Sequence, residues 1–153
     1  MSQTYEALRA HPFLSGLTDY ELGRLAEHTT PVMFPANTRL FDEGHDAEHF
    51  WLIQDGQVRL DTLIPGRDRV IVETLGPGSV LGWSWLFPPR RWHFGAETVT
   101  TTTALQLDGP AVLDLCDRLP ALGYRLMGGF LQVVVDRLQN TRVRLLDLYG
   151  GSS

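Results

Sequence analysis

One segment of this chain, residues 81–95 (LGWSWLFPPRRWHFG), combines side chains suited to binding a small planar or anionic molecule. It holds five aromatic rings within twelve residues: Trp83, Trp85, Phe87, Trp92 and Phe94. Between them stand Arg90 and Arg91, whose guanidinium groups offer planar forks of N–H donors to carboxylate or phosphate. Indole faces stack on planar molecules and line apolar pockets. These residue types predict a ligand site; the alternative is that the rings plug the interior of the fold and leave no room for a ligand.

The other candidate reactive side chains give weaker patterns. His45 and His49 are four residues apart beside Asp46 and Glu48, a spacing compatible with the metal site of a cupin-like enzyme. The His-x-His pattern and following Glu of such enzymes are absent, so we interpret this stretch as a solvated turn. Cys116 has no neighbour in sequence that would lower the pKa of its thiol. We therefore predict neither a catalytic set nor a metal site.

The composition predicts one domain with a hydrophobic core. The chain has 153 residues, of which 43% are hydrophobic, and a formal net charge of −5. A negative chain is a poor general nucleic-acid binder, because phosphate contacts supply most of the non-specific affinity. The N-terminal residues lack the basic and apolar regions of a secretion signal, and the single Cys cannot form an intrachain disulfide. We expect a cytoplasmic protein with no membrane-spanning segment.

Hydrophobic periodicity divides the predicted domain, residues 1–153, into three parts. Residues 1–29 indicate a helical cap, in which Thr18 and Glu21 have the spacing of a capping box. Residues 30–108 contain short β-branched and aromatic runs, separated by turn signals about every 10 to 12 residues, as in a small sandwich or roll. Residues 109–148 change to a helical period. The predicted fold is mainly β, a double-stranded β-roll with N-terminal helices and a long C-terminal helix.

The long helix, which begins near Pro120, carries an apolar seam. Positions at alternating intervals of four and three are Met127, Leu131, Val134, Leu138, Thr141, Leu145 and Leu148, with Thr141 as the polar exception. A helix of some 28 residues measures about 40 Å and would overhang a domain of this size. We therefore expect a homodimer, the alternative being that the seam packs on the chain's own roll. Gly128 and Gly129 indicate close backbone packing or a bend.

This layout resembles the effector domain of the Crp-Fnr regulators and the wider cyclic-nucleotide-binding family. Four segments in the family's order and spacing carry the resemblance: HPFLSGL (11–17), LFDEGH (40–45), FWLIQDGQV (50–58) and LGPGSVLG (75–82). The resemblance covers nearly the whole chain and implies a β-roll with a ligand held by the insert at residues 81–95. In Crp-Fnr regulators the long helix leads into a helix-turn-helix domain, whereas this sequence ends shortly after that helix, so we expect no direct binding of nucleic acid.

The resemblance implies that this insert is a phosphate-binding cassette, in which a Glu after the Gly binds the ribose and an Arg binds the cyclic phosphate. This chain keeps Gly82 but has Trp83 at the Glu position and Trp92 at the Arg position, with Arg90 and Arg91 just before it. Each lost charge-assisted hydrogen bond is worth about 1.5 to 3 kcal/mol. We expect cyclic AMP and cyclic GMP to bind at least about a hundredfold more weakly than in the family, unless Arg90 or Arg91 turns inward.

From these observations we predict a non-enzymatic regulatory module that binds a small ligand, a cyclic nucleotide or another small anionic or aromatic molecule. Residues expected at the ligand are Gly82, Trp83, Ser84, Trp85, Arg90, Arg91 and Trp92. The alternatives are a structural or interaction protein whose aromatic insert is a ligand-free plug, and a cupin-like metal enzyme.

Overall fold

The computed structural model of the chain describes residues 2–150, except for the side chains of residues 144 and 148–150. The helices are α1 (Gln3–Ala10), α2 (Asp19–Ala26), α3 (Gly109–Arg118) and α4 (Pro120–Gly150), with 3₁₀ turns at Pro12–Leu14 and Ser84–Leu86. The strands are β1 (Thr29–Phe34), β2 (Arg39–Phe41), β3 (His49–Asp55), β4 (Val58–Leu63), β5 (Arg69–Leu75), β6 (Val80–Leu81), β7 (Gly95–Thr98) and β8 (Thr102–Asp108). The predicted class, a β-roll with N-terminal helices and a long C-terminal helix, is confirmed.

The roll consists of two antiparallel four-stranded sheets that share one hydrophobic core. Their strand orders are β1-β8-β3-β6 and β2-β7-β4-β5. The turn after β3 uses Gly56 at a φ of 96°, and a Cβ there would lie 2.5 Å from the carbonyl oxygen of Thr101. Only glycine fits this turn, because both the left-handed backbone and the close approach exclude a side chain.

The helical cap is attached to both the roll and α4. The capping box of α2 is confirmed: Thr18 Oγ1 accepts from the Glu21 N–H at 3.2 Å, and Glu21 Oε1 accepts from the Thr18 N–H at 2.9 Å. Glu21 Oε2 also accepts from Arg125 Nη1 on α4 at 2.6 Å. The Glu21 carboxylate therefore both caps the first turn of α2 and joins this helix to α4.

His11 connects the cap to the centre of the roll. Its Nδ1 accepts from the Phe13 N–H at 3.3 Å, so the neutral ring carries its proton on Nε2 and donates to the Ile53 carbonyl oxygen at 3.0 Å. Burial lowers the pKa of His11 from its usual 6.5, although the hydrogen bond to Ile53 opposes this. The fold thus favours the neutral ring over the imidazolium.

We expect His11 to make the folded state less stable in mild acid. Because the folded pKa of His11 lies below 6.5, the unfolded chain takes up the proton first as the pH falls. The stability that the neutral ring contributes is therefore complete above pH 6.5 and is lost as the pH falls towards the lowered pKa. His11→Asn keeps an acceptor for the Phe13 N–H but cannot titrate. Urea unfolding at pH 7.5 and pH 5.0 should show a smaller pH dependence for His11→Asn than for wild type.

The control is Gln139→Asn, an exposed substitution that neither adds nor removes a titratable group and should keep the pH dependence of wild type. Equal pH dependence in wild type and His11→Asn would contradict the assignment.

The helices after the roll begin where the sequence predicts. Asp108 Oδ1 accepts from the Ala111 N–H at the start of α3, and Pro120 opens α4. At 31 residues, α4 is about 46 Å long. Within the described residues, no helix is both long enough and apolar enough to cross a membrane.

The two adjacent glycines of α4 have different surroundings. A Cβ on Gly129 would lie 3.0 Å from Phe13 Cε1, whereas a Cβ on Gly128 would have nothing within 4 Å. Gly129 therefore serves the close packing of α4 against the cap. Gly128 makes no such contact, and its lack of a side chain costs helix stability.

Gly128→Ala should stabilise the protein by up to about 1 kcal/mol, because Ala loses less backbone entropy than Gly in a helix. Gly129→Ala should give a smaller gain or a loss, because its methyl group presses on Phe13. Chemical denaturation of both variants at one protein concentration measures the difference. Equal gains at the two positions would contradict the role of Gly129 in packing.

Candidate functional site

The aromatic insert begins at a glycine in the interior of the roll. Strand β6 ends at Leu81, and Gly82 follows at a φ of 96°. A Cβ on Gly82 would lie 2.9 Å from Cζ3 of Trp92 and 3.4 Å from the carbonyl oxygen of His49. The chain can therefore turn into the insert at this point only without a side chain, and the indole of Trp92 lies directly against that turn.

Trp92 occupies the space beside Gly82. Its side chain is 6% exposed and stacks on Phe41 with 3.8 Å between ring centroids, and it also contacts Trp51 at 5.9 Å. The cavity that remains between this stack and Gly82 measures about 10 Å³, at the lower limit of the space that holds one water. The position at which the resemblance implies a phosphate-binding Arg thus holds a ring that fills the interior.

Trp85 anchors the insert to the hydrophobic core. Its ring stacks on Phe50 at 4.7 Å and meets the edge of Phe130 from α4 at 5.4 Å. The indole N–H donates to the Gly82 carbonyl oxygen at 3.2 Å. Since Trp85 is 1% exposed, it is a core residue that couples the insert to α4.

The remaining residues of the insert form a small polar and aromatic group. Ser84 Oγ lies 2.8 Å from His93 Nδ1 and accepts from the His93 N–H at 3.3 Å. Trp83, which is half-buried, stacks on the same imidazole at 4.7 Å. Trp83, Ser84 and Gly82 together line the small space beside Trp92.

Both arginines of the insert bind carbonyl groups of nearby loops. Arg90 Nε donates to the Trp85 carbonyl oxygen at 3.2 Å. Arg91 Nη1 donates to the Gly44 carbonyl oxygen at 3.1 Å and lies 4.0 Å from Asp46 Oδ1. The walls of the space beside Gly82 include neither of them.

The guanidinium at that wall belongs to Arg137 of α4, which the sequence analysis did not single out. Its side chain is 13% exposed, its Nη2 donates to the Val80 carbonyl oxygen at 2.7 Å, and its Nε lies 3.4 Å from Glu73 Oε2. Burial lowers the pKa of Arg137, while the negative charge of Glu73 opposes that shift. The sequence around Arg137 does not distinguish it from an exposed helix cation. In the structure it lies one turn after Val133, which packs against the core of the roll.

A cleft runs between the roll and α4 beside Arg137. It has a volume of about 330 Å³, within the range of small-molecule sites. The roll contributes Leu60, Val72, Glu73 and Phe94, and the helix contributes Arg137, Asn140, Thr141 and Val143. Thr141, the polar position of the apolar seam, therefore lines this cleft.

The side chains considered for metal binding or nucleophilic chemistry have other surroundings. Within residues 2–150, no group of three or more His, Cys, Asp or Glu side chains is placed to hold a metal ion. Burial raises the pKa of the Cys116 thiol to about 11, with a smaller contribution from Asp117. The thiol is therefore protonated at neutral pH and a poor nucleophile.

Two facing four-stranded sheets, an N-terminal helical cap and a long helix beside the ligand-sized cleft define a β-roll effector domain. The sequence pattern of the cyclic nucleotide-binding domain matches residues 31–119, and the chain belongs to that family.

Relatives of known sequence or structure agree with this assignment. The CRP-like cAMP-activated global transcriptional regulator of Mycobacterium tuberculosis is 25% identical over 143 residues, which is 94% of this chain and 62% of the regulator. A putative cyclic nucleotide-binding protein from Geobacter metallireducens has 26% identity and a TM-score of 0.77, covering 90% of this chain and 99% of that one. The Thermus thermophilus catabolite activator protein has 25% identity and a TM-score of 0.70, covering 90% of this chain and 63% of that one. This chain therefore spans less than two thirds of the M. tuberculosis regulator.

Proposed function

We propose that this chain is a non-enzymatic, cytoplasmic regulatory module that binds a small ligand and acts as a homodimer. The proposal treats residues 1–153 as one domain: the helical cap (1–29), the roll with its insert (30–108) and the C-terminal helices (109–148). The observation that carries it is the cleft of about 330 Å³ between the roll and α4. A ligand there touches the roll and the long helix at once, so its binding can favour one arrangement of the two.

The ligand contacts proposed from the sequence divide into two groups. Gly82, Trp83, Ser84 and Trp92 line the small space that shares the side chain of Arg137 with the cleft. Trp85 supports them from the core, and Arg90 and Arg91 stiffen the insert through their carbonyl contacts unless a ligand draws them inward. A cyclic nucleotide bound at the family's usual depth would have to displace Trp92 and meet Trp83 in place of the Glu. Weak binding of cyclic AMP and cyclic GMP follows.

The dimer is proposed on the exposure of one helix face. Four large side chains, spaced seven residues apart on α4, are exposed: Tyr124, Leu131, Leu138 and Leu145. Met127, Val134 and Thr141 lie between them, and the side chain of Leu148 is outside the described residues. A heptad repeat of this kind forms a two-helix interface.

Thermal denaturation with added ligands tests the proposal. Cyclic AMP, cyclic GMP and a panel of organic acids are added at millimolar concentration to the purified protein. A ligand at 100 times its Kd adds about 2.7 kcal/mol, and each kcal/mol raises Tm by about 2 to 4 °C at this size. A rise in Tm with any of these compounds supports the proposal, and a Tm that no compound changes contradicts it.

A ligand-free interaction protein is the second candidate, favoured by the fit of Trp92 against Phe41 and Gly82. In that case the insert completes the core, and α4 alone carries the function by binding a partner helix. The two candidates differ in tryptophan fluorescence, because three of the four Trp residues lie in the insert. A ligand in the cleft should change the emission, whereas a plug should leave it unaffected by every compound.

A further inference from the structure

Arg137 lies at an unusual position for a guanidinium, buried between the roll and α4. A guanidinium has five N–H donors, and a buried one normally satisfies them by pairing and hydrogen bonding. The structure gives Arg137 one full hydrogen bond, to the Val80 carbonyl oxygen, and a looser ion pair with Glu73 at 3.4 Å. Its capacity to bind an oxyanion is therefore only partly used.

Cavities meet at this guanidinium. Arg137 lines the cleft of about 330 Å³, the small space beside Gly82, and a neighbouring groove of about 350 Å³ that reaches Pro12 and Phe13 of the cap. An anion bound there would contact a side chain of the long helix that also holds the roll, through the Val80 carbonyl oxygen and Glu73.

The other walls of the cleft restrict the rest of the ligand. Leu60, Val72, Phe94 and Val143 form an apolar side suited to a hydrophobic or aromatic body. Asn140 and Thr141, one turn beyond Arg137, place polar groups next to it. Glu73 adds a negative charge at the same spot, and a second negative charge on the ligand would be repelled by it.

We infer that the ligand is a singly charged oxyanion on an apolar body, held by Arg137 of α4 rather than by the arginines of the insert. The inference rests on the proposed function and names the ligand class of the same site. Glu73 occupies the guanidinium in the absence of the ligand and gives way when the oxyanion binds. Because Arg137 also holds β6 through the Val80 carbonyl, this exchange of partners transmits binding to the insert and to the long helix.

A matched pair of fluorescent probes tests the inference on the full chain. 1-Anilinonaphthalene-8-sulfonate (ANS) is an apolar monoanion, and N-phenyl-1-naphthylamine is the same ring system without the sulfonate. Arg137→Gln should weaken ANS binding by about tenfold or more, the loss of one charge-assisted contact, and leave the neutral probe unchanged. Glu73→Gln should strengthen ANS binding about threefold or more by freeing the guanidinium. Arg142→Gln, at an exposed position of the same helix, is the control and should change neither.

The outcomes separate the inference from the proposed function. Probe affinities that are alike in wild type, Arg137→Gln and Glu73→Gln overturn the inference and leave a ligand site standing. Failure of wild type to bind either probe, or any compound of the thermal panel, overturns both. If Arg137→Gln does not fold, the ANS affinity of Glu73→Gln decides: a gain over wild type supports the inference, and no gain overturns it. Displacement of ANS by cyclic AMP would identify a phosphodiester, and displacement by decanoate a carboxylate; either supports the inference.

Discussion

Leu131→Glu combined with Leu138→Glu is expected to separate the proposed dimer into monomers. Both side chains lie on the exposed face of α4, at 64% and 65% exposure, so the monomer does not need them for its own core. In a dimer they would face the partner helix, and a buried glutamate without a partner costs several kcal/mol. The dimer Kd should rise by at least about a thousandfold. Light scattering at micromolar concentration should give the monomer mass.

A control for added charge is available one residue further along the helix. Gln132→Glu combined with Gln139→Glu introduces the same two charges at exposed polar positions, which lie at the edge of the proposed interface rather than within it. This variant should remain dimeric. A Leu131→Glu, Leu138→Glu variant that is still a dimer would place the interface elsewhere and leave the seam without a role.

The second large effect is expected at the stack of Trp92. Trp92→Ala removes a ring that is 6% exposed and packed against Phe41, and large-to-Ala changes of this kind cost about 3 to 5 kcal/mol. At about 2 to 4 °C for each kcal/mol, Tm should fall by roughly 6 to 20 °C. Differential scanning calorimetry measures the change. Phe87→Ala, at an exposed ring of the same insert, should cost about 0.5 kcal/mol or less.

Free indole tests whether the space left by Trp92→Ala can bind a small molecule. Trp92→Ala leaves an apolar cavity beside Gly82, and a cavity of the right shape binds the missing group from solution. Millimolar indole should therefore raise the Tm of Trp92→Ala but not that of wild type. A Trp92→Ala variant as stable as wild type would show that the ring is dispensable for the fold and available for a ligand.

Much of the scaffold could be predicted from the sequence because the determining interactions are local. The Thr18 and Glu21 capping box closes within three residues, and Pro120 begins a helix because its fixed φ suits the first turn. The turn after β3 could be predicted at Gly56 because glycine adopts a positive φ, here 96°, at no steric cost. Such signals depend on residues that are neighbours in the sequence and not on contacts between distant ones.

The chemistry of the site depends on contacts between distant residues, which the sequence does not contain. Trp92 fills the interior because it meets Phe41, a residue 51 positions earlier, whereas the sequence left a ligand site and a plug as alternatives. Arg137 has the sequence surroundings of any helix-surface cation. It becomes a buried guanidinium at a cleft only because β5 and β6 pack against that turn of α4.

The sequence by itself therefore determined the family, the β-roll with its N-terminal helices, and the start of the long C-terminal helix at Pro120. These follow from local hydrogen bonding, backbone angles and hydrophobic period. The tertiary structure alone decided that Arg90 and Arg91 bind nearby carbonyl groups, that Trp92 occupies the interior, and that Arg137 stands at the cleft. Side-chain direction and burial in a roll are set by which strands and helices meet, and Arg137 and Val80, which meet here, are 57 positions apart.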